Sequence, residues 1–381
     1  MDHTTGIATR LERGIAILFV VVCLLPGLAL IAGVRPKNLE NAAPAAMPTV
    51  APDRLLDSHT YAEIDAFISD NLPGRDRALR TYGELDYGLL GGSASRQVIV
   101  GRDDWLFFDG ELRPTCRATA AEMLADLDST AAAAERVGME LRFVVAPDKH
   151  GIHPEKVMDD PPWPVPCTDL ERPAMRAGFA ERPNAAVDLW GPVEAARDAA
   201  NEPMYFTKDS HWTPTGALAA IEALVESLAP GVWDPTDIGI DGTSTYPMEL
   251  ARLMGVPEDA IVPAYVVRPG VDIEQSTLET DVDMEHAPSI DQYHVTGTDR
   301  LVPGTTLVIY DSFFNISRPR ITPWFEHTVW VQLEDLRDQP ELVETLPPID
   351  RIIVERVERS AYNLDLPALL APVFERAATS P

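Results

Sequence analysis

Positive charge is in short supply in this chain. In 381 residues, 31 Lys and Arg stand against 60 Asp and Glu, for a formal net charge of −29. Nucleic-acid affinity rests on phosphate neutralisation by cations, so this deficit excludes a nucleic acid as the principal partner. Residues 1–60 hold five charges of each sign, and the whole deficit therefore falls in residues 61–381. Cysteine is scarcer still, at three, and neither Cys-x-x-Cys nor His-x-x-x-His spacing occurs. That removes the usual signatures of a zinc site, and no metal is expected. Internal repeats and long low-complexity tracts are absent. What is present, 45% hydrophobic and 24% charged residues, is ordinary globular usage and can build a full core.

Long apolar runs are also missing, with one exception. Residues 15–34 read IAILFVVVCLLPGLALIAGV without a charge, and at about 1.5 Å per residue twenty helical positions cross a hydrocarbon core of roughly 30 Å. A buried core helix would carry a polar stripe, and a cleavable signal would have a shorter apolar stretch with small residues close behind it. The run is expected to be an uncleaved single-pass anchor, with residues 1–14 cytoplasmic. Arg10 and Arg13 before it nearly balance Arg35 and Lys37 after it, so basic residues orient it weakly. Cysteines decide the orientation. Outside the run only Cys116 and Cys167 remain, and an even pair in the larger part predicts a disulfide and an oxidising compartment outside the cytoplasm. Residues 35–57, rich in Ala and Pro, read as a tether, and residues 58–381 as the folded domain.

Within residues 61–90, apolar positions at helical spacing predict two helices broken at Pro73-Gly74. Residues 98–100 and 105–108 read as a hairpin. An Ala-rich helix over 118–137, a strand over 141–146, a Pro-punctuated loop over 159–166 and a helix over 214–229 follow. Apolar strands recur at 307–310, 329–332 and 351–354, with a closing helix after Asp365. Continuous apolar strands joined by helices predict an α/β architecture with a mostly parallel sheet covered on both faces. Residues 240–300 are expected to form a loop-rich acidic insertion.

In such a sheet functional groups gather beyond the carboxyl ends of the strands. One strand ends in Tyr310-Asp311-Ser312, where a serine can serve as a helix cap or as a nucleophile facing a helix amino terminus. A second segment, Tyr205-Phe206-Thr207-Lys208-Asp209-Ser210-His211-Trp212, precedes a helix opening at Thr213-Pro214. Asp and His two apart in a loop can project together, so that the carboxylate sets the imidazole tautomer. His150 and His153, after the strand ending at Ala146, rival His211 as a base. Trp163, Trp324 and Trp330 are read as core aromatics before sugar platforms.

Several blocks, taken in order, carry a resemblance. They are Asn71-Leu72-Pro73-Gly74-Arg75-Asp76, the run from Val98 to Phe108, Val144-Val145-Ala146-Pro147-Asp148-Lys149 with His153-Pro154-Glu155, Thr207-Lys208-Asp209-Ser210-His211-Trp212, Asp311-Ser312-Phe313 and Val354-Glu355-Arg356. Together they resemble the SGNH-hydrolase-like domain of the alginate O-acetyltransferase family, of the AlgJ and AlgX type, over about residues 60–360. The resemblance implies a three-layer α/β/α fold and a triad of Ser312 as nucleophile, His211 as base and Asp209 as orienting acid. Tyr310 stands where many members carry Gly and is a possible substrate contact, as are Lys149, Arg318 and Trp212. The family further implies an acetyl transfer through an acyl-serine to a polysaccharide hydroxyl, no cofactor in the domain itself, and a separate multi-span membrane acyltransferase that supplies acetyl. A carbohydrate esterase with the same triad, or a non-catalytic polysaccharide-binding protein, are the alternatives. A basic cleft at the serine would count against a neutral glycan as acceptor.

Overall fold

The computed structural model describes residues 3–36, 44–48, 57–200, 202–278 and 290–379. Most of the expected tether and part of the expected insertion lie outside the described residues. Two compact units are present, one made of residues 1–98 and 249–258, the other of 99–248 and 259–381.

In the first unit the apolar run forms part of a helix, His3–Ile31, of which Arg13–Ile31 is long and apolar enough to cross a membrane. Helices Ser58–Asn71 and Arg75–Leu85 follow, interrupted at Leu72-Pro73-Gly74, and a single π-helical turn Asp86–Leu90 extends the second. The break falls where the sequence predicts it: Pro73 has no backbone donor, and Gly74 takes a φ of 87° that a side chain would oppose. Gly83 lets this helix approach the Glu249–Leu253 segment closely, since a Cβ there would stand 2.0 Å from the Met254 carbonyl oxygen.

The strands run in order β1 (Val98–Val100), β2 (Leu106–Phe108), β3 (Glu140–Ala146), β4 (Ala186–Asp188), β5 (Ile238–Pro247), β6 (Asp259–Val267), β7 (Asp272–Leu278), β8 (Ile290–Thr296), β9 (Val302–Tyr310), β10 (Phe325–Gln332) and β11 (Arg351–Val357). β1 and β2 form the expected two-stranded pair, and the main sheet has the order β4-β3-β11-β9-β10-β8-β7. From β4 to β10 every neighbouring pair is parallel, whereas β8 runs antiparallel to β10 and β7 antiparallel to β8. The sheet is therefore mixed, which corrects the expectation of a mostly parallel one: an antiparallel pair from the polar 272–296 region extends it at one edge. β5 and β6 pair with each other as a separate antiparallel ribbon. The segment expected to be loop-rich thus holds four strands among its described residues.

Residues 141–146 of β3, 306–310 of β9 and 351–355 of β11 are buried in unbroken runs. Successive strand residues face opposite sides, so both faces of this part of the sheet are covered. Helix Ala120–Arg136 packs on β3, helix Cys167–Ala180 on β4 and helix Leu366–Thr379 on Ala120–Arg136. Thr119 and Glu122 close the amino terminus of Ala120–Arg136 with a reciprocal capping box. Cys116 and Cys167 form the predicted disulfide. Trp324 and Trp330 are buried in the core, as read from sequence, and Trp163 is half-buried.

Candidate active site

β9 lies inside the sheet between β11 and β10, and its apolar run ends at Tyr310. Asp311 then caps helix Ser312–Ile321, accepting a hydrogen bond from the Phe313 amide at 3.0 Å. The chain turns so that Ser312 is exposed while Asp311, Phe313 and Phe314 are buried. A hydroxyl on the first residue of a ten-residue helix faces the positive end of its dipole, the environment an oxyanion needs.

The base arrives on a different element. Tyr205 and Trp212 form an isolated antiparallel bridge, and the Phe206 amide donates to the His211 carbonyl at 3.1 Å, so residues 205–212 close into a tight loop with Asp209 and His211 near its tip. Helix Pro214–Leu228 holds the base of this loop: Thr213 caps it, and the Thr213 amide donates to the Met204 carbonyl at 2.8 Å. Gly216 permits the approach, because a Cβ there would meet the Met204 oxygen at 2.2 Å.

His211 and Ser312 meet across 101 residues of sequence. His211 Nε2 lies 2.9 Å from Ser312 Oγ, and His211 Nδ1 lies 2.7 Å from Asp209 Oδ1. The same Asp209 oxygen accepts from the His211 backbone amide at 2.9 Å. Asp209 is 1% exposed and His211 7%. A carboxylate fixed by a backbone donor and bonded to one ring nitrogen selects the tautomer with Nδ1 protonated, which leaves Nε2 free to accept the serine proton.

The remaining residues singled out from sequence are placed differently. Trp212 is buried, its indole donating to Ser317 Oγ at 2.9 Å. Arg318 donates to Asp291, to Asn315 and to the Tyr310 hydroxyl, at 2.6, 2.9 and 2.5 Å, and its guanidinium lies over the Tyr310 and Trp330 rings. Tyr310 and Arg318 thus engage each other. Lys149 is fully buried, with its ammonium bonded to the carbonyls of Leu106, Thr207 and Asp209. These four residues brace the site from within.

The rival histidines serve other partners. His150 bonds Asp169 at 2.9 Å; burial opposes its charge, but the hydrogen bonds to Asp169 and Glu111 outweigh it and raise its pKa to about 10, so it is an imidazolium at neutral pH and no base. His153 Nε2 accepts from the Met204 amide at 3.2 Å, and burial lowers its pKa. Both sit in a polar layer beyond β3 and β11, where Arg172 holds Glu358 and Arg359 holds Asp148.

A buried carboxyl beneath the nucleophile escaped the sequence reading. Glu355 on β11 accepts from the Asp311 amide at 3.0 Å, and burial beside the Asp311 carboxylate pushes its pKa well above the ordinary range. Asp311 Oδ2 in turn accepts from the Val357 amide at 2.8 Å. One strand thus holds the residue before Ser312 at both its backbone and its side chain. Glu355 directly follows the apolar run Ile352-Ile353-Val354 in β11, and that was its visible signal.

Residues 98–256 match the family model described as the SGNH hydrolase-like domain of the acetyltransferase AlgX. That match takes in Asp209 and His211 and stops short of Ser312. Among curated proteins the chain is similar to the probable alginate O-acetylase AlgJ of Pseudomonas syringae pv. tomato, 25% identical over 222 residues, which are 58% of this chain and 54% of that protein. The AlgJ of Pseudomonas putida is 31% identical over 134 residues, 35% and 34% of the two chains. The chain thus spans about half the length of the first of these relatives and less of the other. Among solved structures, the O-acetyltransferase domain of Pseudomonas putida AlgJ aligns with a TM-score of 0.45 at 18% identity, covering 70% of this chain and 92% of that one. Bacillus cereus PatB1, solved with a sulfonyl adduct, aligns with a TM-score of 0.47 at 13% identity, covering 71% and 98%. The resemblance read from the sequence blocks is matched by both the family model and the curated relatives.

Proposed function

We propose that the chain is an extracytoplasmic O-acetyltransferase of the SGNH-hydrolase-like type that acts on a polysaccharide through an acyl-serine. The observation that carries this reading is the chain of contacts Asp209–His211–Ser312, at 2.7 and 2.9 Å, ending on an exposed hydroxyl. In the first half-reaction Ser312 Oγ attacks the acyl carbonyl as its proton passes to His211 Nε2, and the imidazolium is stabilised by Asp209. The tetrahedral oxyanion collapses, expelling the donor's leaving group, which takes the proton from His211. In the second, His211 removes the proton of a sugar hydroxyl, whose oxygen attacks the acetyl-serine ester; the tetrahedral intermediate collapses with cleavage of the ester bond to Ser312, whose oxygen takes the proton back from His211.

The disulfide supports a location outside the cytoplasm, and helix Arg13–Ile31 supports a single-pass anchor. Acetyl-CoA is a cytoplasmic donor, so this reading assigns acetyl supply to a separate membrane-spanning acyltransferase. A cavity of about 720 Å³ lined in part by Arg356, Ser360 and Asn363 includes none of Asp209, His211 and Ser312 in its lining, so this reading does not assign it to the acceptor.

Because Ser312 is exposed, water competes as the second acceptor, and an esterase is the alternative outcome of the same chemistry. Incubating the full chain with 4-nitrophenyl acetate and measuring intact mass tests the first half-reaction. An acetyl adduct confined to Ser312 supports it. Addition of oligosaccharides then separates transfer from hydrolysis: acetylated sugar marks a transferase, and acetate alone an esterase.

A further inference from the structure

Lys149 stands three residues beyond β3 and makes no contribution to the proton transfers just described. Its side chain has no exposed surface, yet it ends in an ionisable amine. All three ammonium donors are spent on backbone carbonyls, those of Leu106 at 2.6 Å, Thr207 at 2.9 Å and Asp209 at 3.0 Å. The rings of Trp105 and Phe107 face the charge at 4.8 and 5.0 Å from their centroids. A separate hydrogen bond, from the Leu106 amide to the Thr207 carbonyl at 2.8 Å, joins the same two segments.

Burying an ammonium is costly even when it is hydrogen-bonded, and an apolar side chain would fill this space at less cost. The ammonium does what an apolar group cannot: it converges three carbonyl dipoles from two segments on one point. Two of the three belong to the loop that carries the acid and the base. Asp209 is held twice, at its carbonyl by Lys149 and at its carboxylate by the His211 amide and ring.

We infer that Lys149 is a positioning residue for the acid–base pair, its ammonium fixing the backbone of the loop so that His211 stays within reach of Ser312. The inference rests on the proposed acyl-serine chemistry. The ionisable groups that face the ammonium are Glu111 and Asp209, which favour its charge, and His153, whose own charge it disfavours. Burial outweighs the two carboxylates and lowers the Lys149 pKa to about 7. Deprotonation replaces one donor with a lone pair aimed at a carbonyl oxygen, which loosens the clamp.

The experiment follows the acylation rate of Ser312 by 4-nitrophenyl acetate in the full chain, wild type against Lys149→Met, across pH 5 to 10. A displacement of about 1 Å in a reacting geometry costs about a hundredfold. The expected result is a maximal acylation rate about 100-fold lower in the variant, with the half-saturating ester concentration unchanged and with near-ultraviolet circular dichroism and the disulfide retained. Wild type should in addition lose rate at high pH through the titration of Lys149, and the variant should lack that limb. A folded variant that acylates at the wild-type rate overturns the inference, because a purely structural lysine changes only stability. Should Lys149→Met fail to fold, the Lys149 Cε resonance of the wild-type chain is titrated alongside its acylation rate. A rate that falls through that titration supports the clamp, and one that stays level overturns it. Absence of a Ser312 adduct in wild type sinks the proposed chemistry itself, and the inference with it.

Discussion

The indole nitrogen of Trp212 donates to Ser317 Oγ at 2.9 Å, and this bond joins the loop that carries His211 to the helix that carries Ser312. Ser317 donates in turn to the Phe313 carbonyl one helical turn back. The Trp212 ring meets Phe313 edge-on at 5.1 Å, while His211 lies 4.9 Å from the same ring. The distance between base and nucleophile is therefore set by packing beneath them as well as by their own hydrogen bond. Ser317→Ala leaves the indole N–H buried without an acceptor, a cost of about 1–3 kcal/mol. Chemical denaturation should show that loss, and the acylation rate at Ser312 should fall because the brace between the two elements is released.

The triad variants separate roles. Ser312 is exposed, so Ser312→Ala should leave the melting temperature almost unchanged while abolishing the acyl adduct. His211→Ala should lower acylation by several orders of magnitude. Asp209→Asn keeps the shape of the side chain but offers an amide to Nδ1, favouring the wrong tautomer; a loss of about 10⁴-fold is expected on the precedent of triads in general. Peptide mapping after exposure to the activated ester reads all three, and equal activity in Asp209→Asn and wild type would remove Asp209 from the mechanism.

Asp209, His211 and Ser312 sit at local landmarks, Ser312 at the end of an apolar run and Asp209 and His211 just before a Thr-Pro helix start, but it is the ordered blocks of the family resemblance that single them out as a proposed triad. With the exception of the three-residue β4, the parallel strands were legible because a strand buried on both faces reads as a continuous apolar block. β5 and β7 were not. Nearly all of their residues are exposed or half-buried, so no apolar alternation marks them, and the polar 240–300 segment passed for loop. The sequence offers Lys149 as a substrate contact, whereas in the structure its nitrogen bonds backbone carbonyls. Its partners are backbone carbonyls, which every residue carries, so nothing in the neighbouring side chains announces the clamp. Tyr310, Arg318 and Trp212 are likewise offered by the sequence as substrate contacts, and the structure shows them hydrogen-bonded within the protein.

Joining residues 51 apart, the Cys116–Cys167 disulfide shortens the chain available to the unfolded state. In the chain-entropy account a loop of this length is worth about 4 kcal/mol. Replacing both cysteines by serine should lower stability by about 2–4 kcal/mol and make the wild-type melting temperature sensitive to reductant and the variant's insensitive. The triad lies on other segments, so acylation at 25 °C should survive in the fraction that remains folded.

Glu355 gives a pH dependence of definite sign. Its folded-state pKa is raised by burial and by the Asp311 carboxylate, so between its unfolded value and that raised value the folded state binds more protons than the unfolded one. Stability from this group is therefore complete below the unfolded pKa, about 4.3 for a Glu, and is lost as pH rises towards the folded one. Glu355→Gln keeps an acceptor for the Asp311 amide and a donor towards its carboxylate, but has no charge to bury. The variant should match wild type near pH 4 and exceed it in stability at pH 8. His150, Asp148 and Lys149 also titrate differently in the folded chain, so the quantity to measure is the difference in unfolding free energy between variant and wild type at each pH, in which those shared contributions largely cancel. A difference that stays constant from pH 4 to 8 would show that Glu355 is ionised in the folded protein, and that the residue preceding Ser312 is held against a carboxylate and not against a neutral carboxyl.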